Sequence, residues 1–289
     1  IDSCLGDSCG SGGARPACRE ILRRGGSMER GSFSAAAGFG AEVGRQGIFS
    51  TYSAFLEMCL SEITMARLNH ANVLCQLSHS GIDQIVDNTC HFGLNHLFAD
   101  NGLDDGWPTQ LFYPADGGQM KSCVETIFHQ PGLRFIFSSR CAVPDIFDSS
   151  GRAIYGDDYQ FVPGRDDIIR PGSAGYIVSF GEVLHRALDV VDRLRAEGID
   201  VGLVNKATLN TVDEDTIRIV GQTPFVLVVE TLNQRTGLGI RFGSWLLQRG
   251  LSPRYDYIGS HLAGIGGIWE QLPHQGLDAA GIEQKVRAL

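Results

Sequence analysis

Short apolar runs and helically spaced apolar repeats alternate along this chain. Residues 71–78 (ANVLCQLS) and 133–138 (LRFIFS) are short apolar runs of the kind that form strands buried on both faces of a parallel sheet. Between 52 and 68 the apolar residues Phe55, Met58, Cys59, Ile63 and Ala66 recur at helical spacing. Pro114-Ala115-Asp116-Gly117-Gly118 ends a strand and opens a further helix, with Asp116 as its cap. From about 141 to 173 the texture turns to Pro, Gly and Asp, which predicts a linker with a small hairpin. Alternation then resumes. Strands are predicted at 176–180, 201–204 and 225–229, and helices at 182–197, ended by Gly198, at 237–249 and at 279–289. Such a pattern predicts an α/β fold of two open, mostly parallel-sheet domains, 1–150 and 173–289, joined by a linker at 151–172.

Composition narrows the classes. With 289 residues, 43% of them hydrophobic and 20% charged, the chain has material for a substantial core. A net charge of −9 and the lack of a dense Lys/Arg run argue against a nucleic-acid partner. The longest apolar runs are too short to span a bilayer, so no membrane partner is expected. Eight cysteines are scattered without a C-x-x-C pair, which predicts reduced thiols in a cytoplasmic protein and neither a disulfide framework nor a metal site. The chain opens at Ile1 rather than Met, as a fragment, a processed chain or part of something longer would.

Candidate chemistry starts at Glu29, at the mouth of an apolar helix spanning 33–39. Desolvation there would favour its protonated form, while the bland alternative is a helix-start carboxylate favoured by the dipole. Tyr52, Phe55 and Met58 stand three apart, suited either to stack on a flat heterocycle or to fill a core. His79, Asp87 and His91 fall on a loop after a strand, HSGIDQIVDNTCH. Two imidazoles and a carboxylate suit a polyol, since His donates or accepts near neutrality and a carboxylate accepts from hydroxyls. A metal site built from these residues and His96 is the rival. Arg140 follows a strand at Phe137-Ser138-Ser139, where parallel sheets bind ligands, unless it is a surface ion pair. Gly237-Leu238-Gly239-Ile240-Arg241-Phe242-Gly243 lacks the spacing and acidic partner of a dinucleotide site.

Taken together, these motifs resemble the thiamine diphosphate-dependent transketolase family, but only its pyrimidine-binding and C-terminal domains, as in the C-terminal subunit of a split transketolase. The resemblance implies that Glu29 shares a proton with the aminopyrimidine ring of thiamine diphosphate and that Tyr52, Phe55 and Met58 pack against it. It implies that His79, Asp87 and His91 hold a sugar or sugar phosphate, with His91 also catalytic, and that Arg140 binds a substrate phosphate. In Gly6-Asp7-Ser8-Cys9-Gly10-Ser11 it places Asp7 near the cofactor and Ser11 near the substrate phosphate. Two departures stand out. The family's Gly-x-Asp-Gly-Pro-Thr-His is replaced by Val86-Asp87-Asn88-Thr89-Cys90-His91, and no Gly-Asp-Gly is present to hold Mg²⁺ and the diphosphate, Gly156-Asp157-Asp158 being a near miss. The resemblance therefore implies a partner, a diphosphate-binding N-terminal transketolase subunit or a missing domain carrying Mg²⁺, and self-association into a dimer. A 1-deoxyxylulose-phosphate-synthase-like, dihydroxyacetone-synthase-like or 2-oxo-acid-dehydrogenase-like chain, or a non-catalytic scaffold, stays open.

Overall fold

The computed structural model describes residues 28–101, 106–264 and 271–289. Its first sheet is built from β1 (Gly47–Tyr52), β2 (Val73–Ser78), β3 (Thr109–Phe112) and β4 (Leu133–Phe137), in the order β1-β2-β4-β3, every pairing parallel. Helices α1 (Glu29–Gly40), α2 (Leu60–Leu68) and α3 (Gly117–Ile127) accompany it. Asp116 caps α3 as expected, accepting from the Gln119 amide at 2.8 Å. The helix predicted across 52–68 starts differently. Ser53–Cys59 is a 3-10 helix, and its buried residues Ser53, Leu56 and Cys59 repeat every third position, the period of that helix.

The second sheet contains β5 (Asp167–Arg170), β6 (Gly175–Ser179), β7 (Val201–Asn205), β8 (Phe225–Asn233) and β9 (Arg254–Ser260), ordered β5-β7-β6-β8-β9. Its pairings are parallel except β5 with β7. Helices α4 (Val183–Ala196), α5 (Glu214–Gly221), α6 (Leu238–Gln248), α7 (Gln271–Gln275) and α8 (Ala279–Ala288) complete it. Gly198, at φ 87°, closes α4 in the left-handed conformation glycine adopts without strain. The segment expected to be a linker with a small hairpin also carries β5. That strand has just four residues, DIIR, with polar ends, so no apolar run announces it. The small hairpin is present, with Phe147 bridged to Ala153.

The two sheets are sewn together. Tyr113 and Leu209 amides donate to the carbonyls of Ala207 and Leu111, extending β3 along the segment after β7. One apolar core then runs through both, joining Phe135, Phe137 and Tyr113 to Tyr176, Val178 and Val228.

The glycine-rich string at 237–243 is explained by packing. Fully buried Glu230 accepts from the amides of Leu238 and Gly239 at 2.7 and 2.8 Å, so a β8 carboxyl caps α6. A Cβ on Gly237 would lie 2.3 Å from that carboxyl, which only glycine avoids. Burial pushes the Glu230 carboxyl up to about 7. The folded chain therefore binds a proton where the unfolded chain has lost it. This contribution to stability is complete below about 4.5, the ordinary glutamate value, and is lost as pH rises through 7. Glu230→Ala should cost about 2–4 kcal/mol in urea unfolding at pH 5, with a smaller loss at pH 8. A loss that grows with pH would contradict the assigned shift.

Candidate active site

The functional side chains gather at the carboxyl edge of the first sheet, where adjacent parallel strands end and their loops diverge. Tyr52 ends β1, His79 follows β2, and Ser138, Ser139 and Arg140 follow β4. A cleft of about 570 Å³ opens between them, lined by Tyr52, Gln76, His79, Asp87, His91 and Arg140 among others. Four of the sequence-predicted substrate residues, from His79 to Arg140 along the chain, thus share one cavity.

Aromatic contacts order one wall. Tyr52 stacks on His79 with ring centroids 4.1 Å apart and on Phe55 at 5.9 Å, and Phe55 meets His91 edge-on at 5.8 Å. His79 holds φ at 57°, a left-handed conformation disfavoured for a residue with a Cβ. Its Nδ1 lies 3.0 Å from the Ser78 hydroxyl. Burial pushes the His79 imidazole below its ordinary value, and the Arg140 guanidinium pushes the same way. His91 Nδ1 lies 4.0 Å from an Asp87 carboxylate oxygen and 3.1 Å from Cys90 Sγ.

The floor is polar where the strands are otherwise apolar. Ser50 Oγ donates to Gln76 Oε1 at 2.7 Å, and Gln76 Nε2 donates to Ser138 Oγ at 3.2 Å. Sequence reasoning missed this bridge, although Gln76 is the one amide in the apolar run VLCQLS and was the available signal.

The loop bearing the histidines is gripped from the second sheet. Gly81 and Gly93 exchange backbone hydrogen bonds at 2.8 and 3.2 Å, closing its neck. Ile82, Ile85 and Phe92 are buried in the same cluster as Val183, Leu184 and Ala187 of α4. Thr89 and Gly264 bond reciprocally, Gly264 donating to Thr89 Oγ1 at 2.9 Å and Thr89 N donating back at 3.2 Å. Beneath the neck lies Glu182, buried, accepting from Thr231 Oγ1 at 2.7 Å and from the Tyr113 hydroxyl. Gly81, at φ 75°, passes so close that a Cβ would sit 2.4 Å from Thr231 Oγ1.

The remaining candidates take other places. Glu29 is the first residue of α1 and is buried, with Cys59 of the 3-10 helix within reach of its charge. It is not in the cleft lining. Met58 is 46% exposed and also outside that lining. His96, from the rival metal set, is fully buried and stacks face to face on Phe137 at 3.8 Å. Among the described residues no group of three or more His, Cys, Asp or Glu could hold a metal ion. Asp7 and Ser11 lie outside the described residues.

Comparison with known proteins finds likenesses over both sheets. Residues 164–261 match the family "Transketolase, C-terminal domain". It is 26% identical over 173 residues to one of the subunits of the apulose-4-phosphate transketolase of Phocaeicola vulgatus, covering 60% of this chain and 53% of that one. It is 25% identical over 244 residues to the transketolase of Homo sapiens, covering 83% and 37%. Among solved structures, a split gene transketolase described as an inactive β4 tetramer superposes with a TM-score of 0.79 and 25% identity, covering 94% of this chain and 85% of that one. The chain spans about half of the Phocaeicola relative and little over a third of the human transketolase. The expected α/β fold of two mostly parallel sheets is the transketolase-type arrangement.

The electrostatics of this cleft are measurable in the chain alone. By NMR, the His79 imidazole should titrate below the ordinary histidine value of about 6.5 and move back up in Arg140→Gln. A midpoint at or above the ordinary value would refute the burial and charge assigned to it.

Proposed function

We propose that this chain is the C-terminal subunit of a thiamine diphosphate-dependent transketolase that moves a two-carbon ketol unit from a ketose or ketose phosphate to an aldose. The observation that carries this reading is the convergence of Tyr52, His79, Asp87, His91 and Arg140 on one cleft, in a chain whose relatives include a transketolase built from separate subunits. On this reading the diphosphate and Mg²⁺ are held by a partner chain bearing the missing domain. A cytoplasmic location and self-association of this chain belong to the same proposal.

The residues fit the pyrimidine half of the cofactor. Tyr52 and Phe55 present stacked rings, and buried Glu29 approaches the helix that carries Phe55 and Met58. Glu29 would hold a proton at its carboxyl oxygen toward the pyrimidine ring, and Tyr52, Phe55 and Met58 would flank that ring. Thiamine diphosphate, when bound, supplies the nucleophilic carbon and electron sink for cleaving a ketose carbon–carbon bond. This chain's own task is to orient the sugar and manage its protons. Asp87 accepts from a sugar hydroxyl, while His79 and His91 donate to or accept from oxygens near the reacting carbons. Arg140, exposed at the mouth, is placed for a terminal phosphate, which its guanidinium can engage with two donors. The related split-gene structure is described as an inactive β4 tetramer, which accords with a site that needs a second kind of chain.

Calorimetry with thiamine diphosphate and Mg²⁺, first on this chain and then with its candidate partner subunit, tests the reading. Binding is expected only with the partner, lost on Glu29→Ala or without Mg²⁺, and accompanied by ketol transfer. Tight binding to the isolated chain would overturn the split-site arrangement, and no binding in any combination would overturn the assignment.

A further inference from the structure

Asp83 sits inside the cleft loop, four positions from both His79 and Asp87, yet its side chain points away from the cleft. Its carboxylate meets the guanidinium of Arg186, on α4 of the second sheet, at 2.7 Å. The Asp83 side chain is 5% exposed and that of Arg186 27%, so the acid has entered the interior and the base has followed it only part of the way. A carboxylate this buried is costly without a partner, and breaking such a pair penalises the group that cannot return to water. The acid is therefore the fixed end of the contact.

Why a loop should carry a buried charge follows from its other contacts. Ile82 and Ile85 flank Asp83 and anchor this part of the loop by apolar burial, which is non-directional, while the hydrogen bonds of Gly81 with Gly93 and of Thr89 with Gly264 fix its neck and far end. The backbone, however, must be held in a demanding shape, since His79 and Gln84 both occupy left-handed conformations, at φ 57° and 56°. Conformations of this kind persist only where surrounding contacts over-determine them. Nor does the segment from Val86 to His91 contain the glycine and proline that would set the turn by itself. A directional ion pair between the two apolar anchors adds a constraint in the stretch between those hydrogen bonds.

We infer that Asp83 and Arg186 are positioning residues, through which the second sheet sets the placement of His79, Asp87 and His91 and so the grip of the cleft on its sugar ligand. This rests on the transketolase reading above. It gives the C-terminal domain a part in substrate recognition, acting from behind the loop without touching the ligand.

The test compares wild type, Asp83→Asn, Arg186→Gln and Arg186→Lys, each combined with the partner subunit and assayed with xylulose 5-phosphate as donor. Arg186→Gln should raise the donor KM about tenfold or more while kcat changes less. It should also speed amide hydrogen exchange across 79–93 in the chain alone, with protection elsewhere unchanged. Asp83→Asn should show the same pattern more weakly, because it removes the buried charge together with its need for a partner. Arg186→Lys should restore most of the wild-type KM. The inference is overturned if KM stays within twofold of wild type in both neutral variants, or if exchange rises evenly over the whole chain with no preference for the loop. Should Arg186→Gln yield no folded chain, Asp83→Asn decides by the same two criteria. Absence of ketol transfer by the wild type would sink the transketolase reading instead, and the exchange measurement would still decide whether the pair holds the loop.

Discussion

Burial of Ile82, Ile85 and Phe92 among the residues of α4 is the constraint on which the cleft depends. Each such side chain taken from water contributes roughly 1.5–3 kcal/mol, so the three together supply several kcal/mol of anchoring. Against this stand two left-handed residues, each costing about 1–2 kcal/mol. The anchoring wins, and the loop can keep a backbone it would otherwise relax. The histidines are thus presented by one sheet but held in place by the other. It follows that the C-terminal domain cannot be treated as an independent appendage to the site.

Three interior acids show how the same architecture is locked at other points. Asp166 meets Lys206 at 3.0 Å with both side chains almost wholly buried, clasping the approach to β5 against the end of β7. Glu230 closes the start of α6, and Glu182 ties β3 and β8 together beneath the loop neck. Burial pushes all three carboxyls up to about 7, and each has its own hydrogen-bond donors. They stand at junctions between elements, where apolar packing alone would leave the relative placement of strands loosely defined.

The strands β2, β4 and β8 were legible because both faces of each are largely buried, which writes a mostly apolar run into the sequence. Strand β9 was not, since RYDYIGS is an edge strand with its first four residues at least partly exposed. In the candidate site, His79, Asp87, His91 and Arg140, singled out by the likeness of their loop and of a Ser-Arg pair to a known family, line one cleft. The contact of Asp83 with Arg186 was not legible, because 103 residues separate the partners and nothing in either neighbourhood names the other. Tyr52, Phe55 and Met58 stand three apart, the repeat of a 3-10 turn, so they keep to one side of it while Ser53, Leu56 and Cys59 are buried on another, and Met58 at its end is 46% exposed.

The bridge from Ser50 through Gln76 to Ser138 crosses three neighbouring strands, β1 and β2 and the end of β4, at the cleft floor. Each member satisfies a polar group on the next, and Gln76 and Ser138 also line the cleft, so replacing one alone alters both the bridge and the floor. The three positions therefore form a single unit of variation. A descendant cleft that takes a differently shaped ligand at its floor would alter the coupling between three strands whenever it changed one of these side chains.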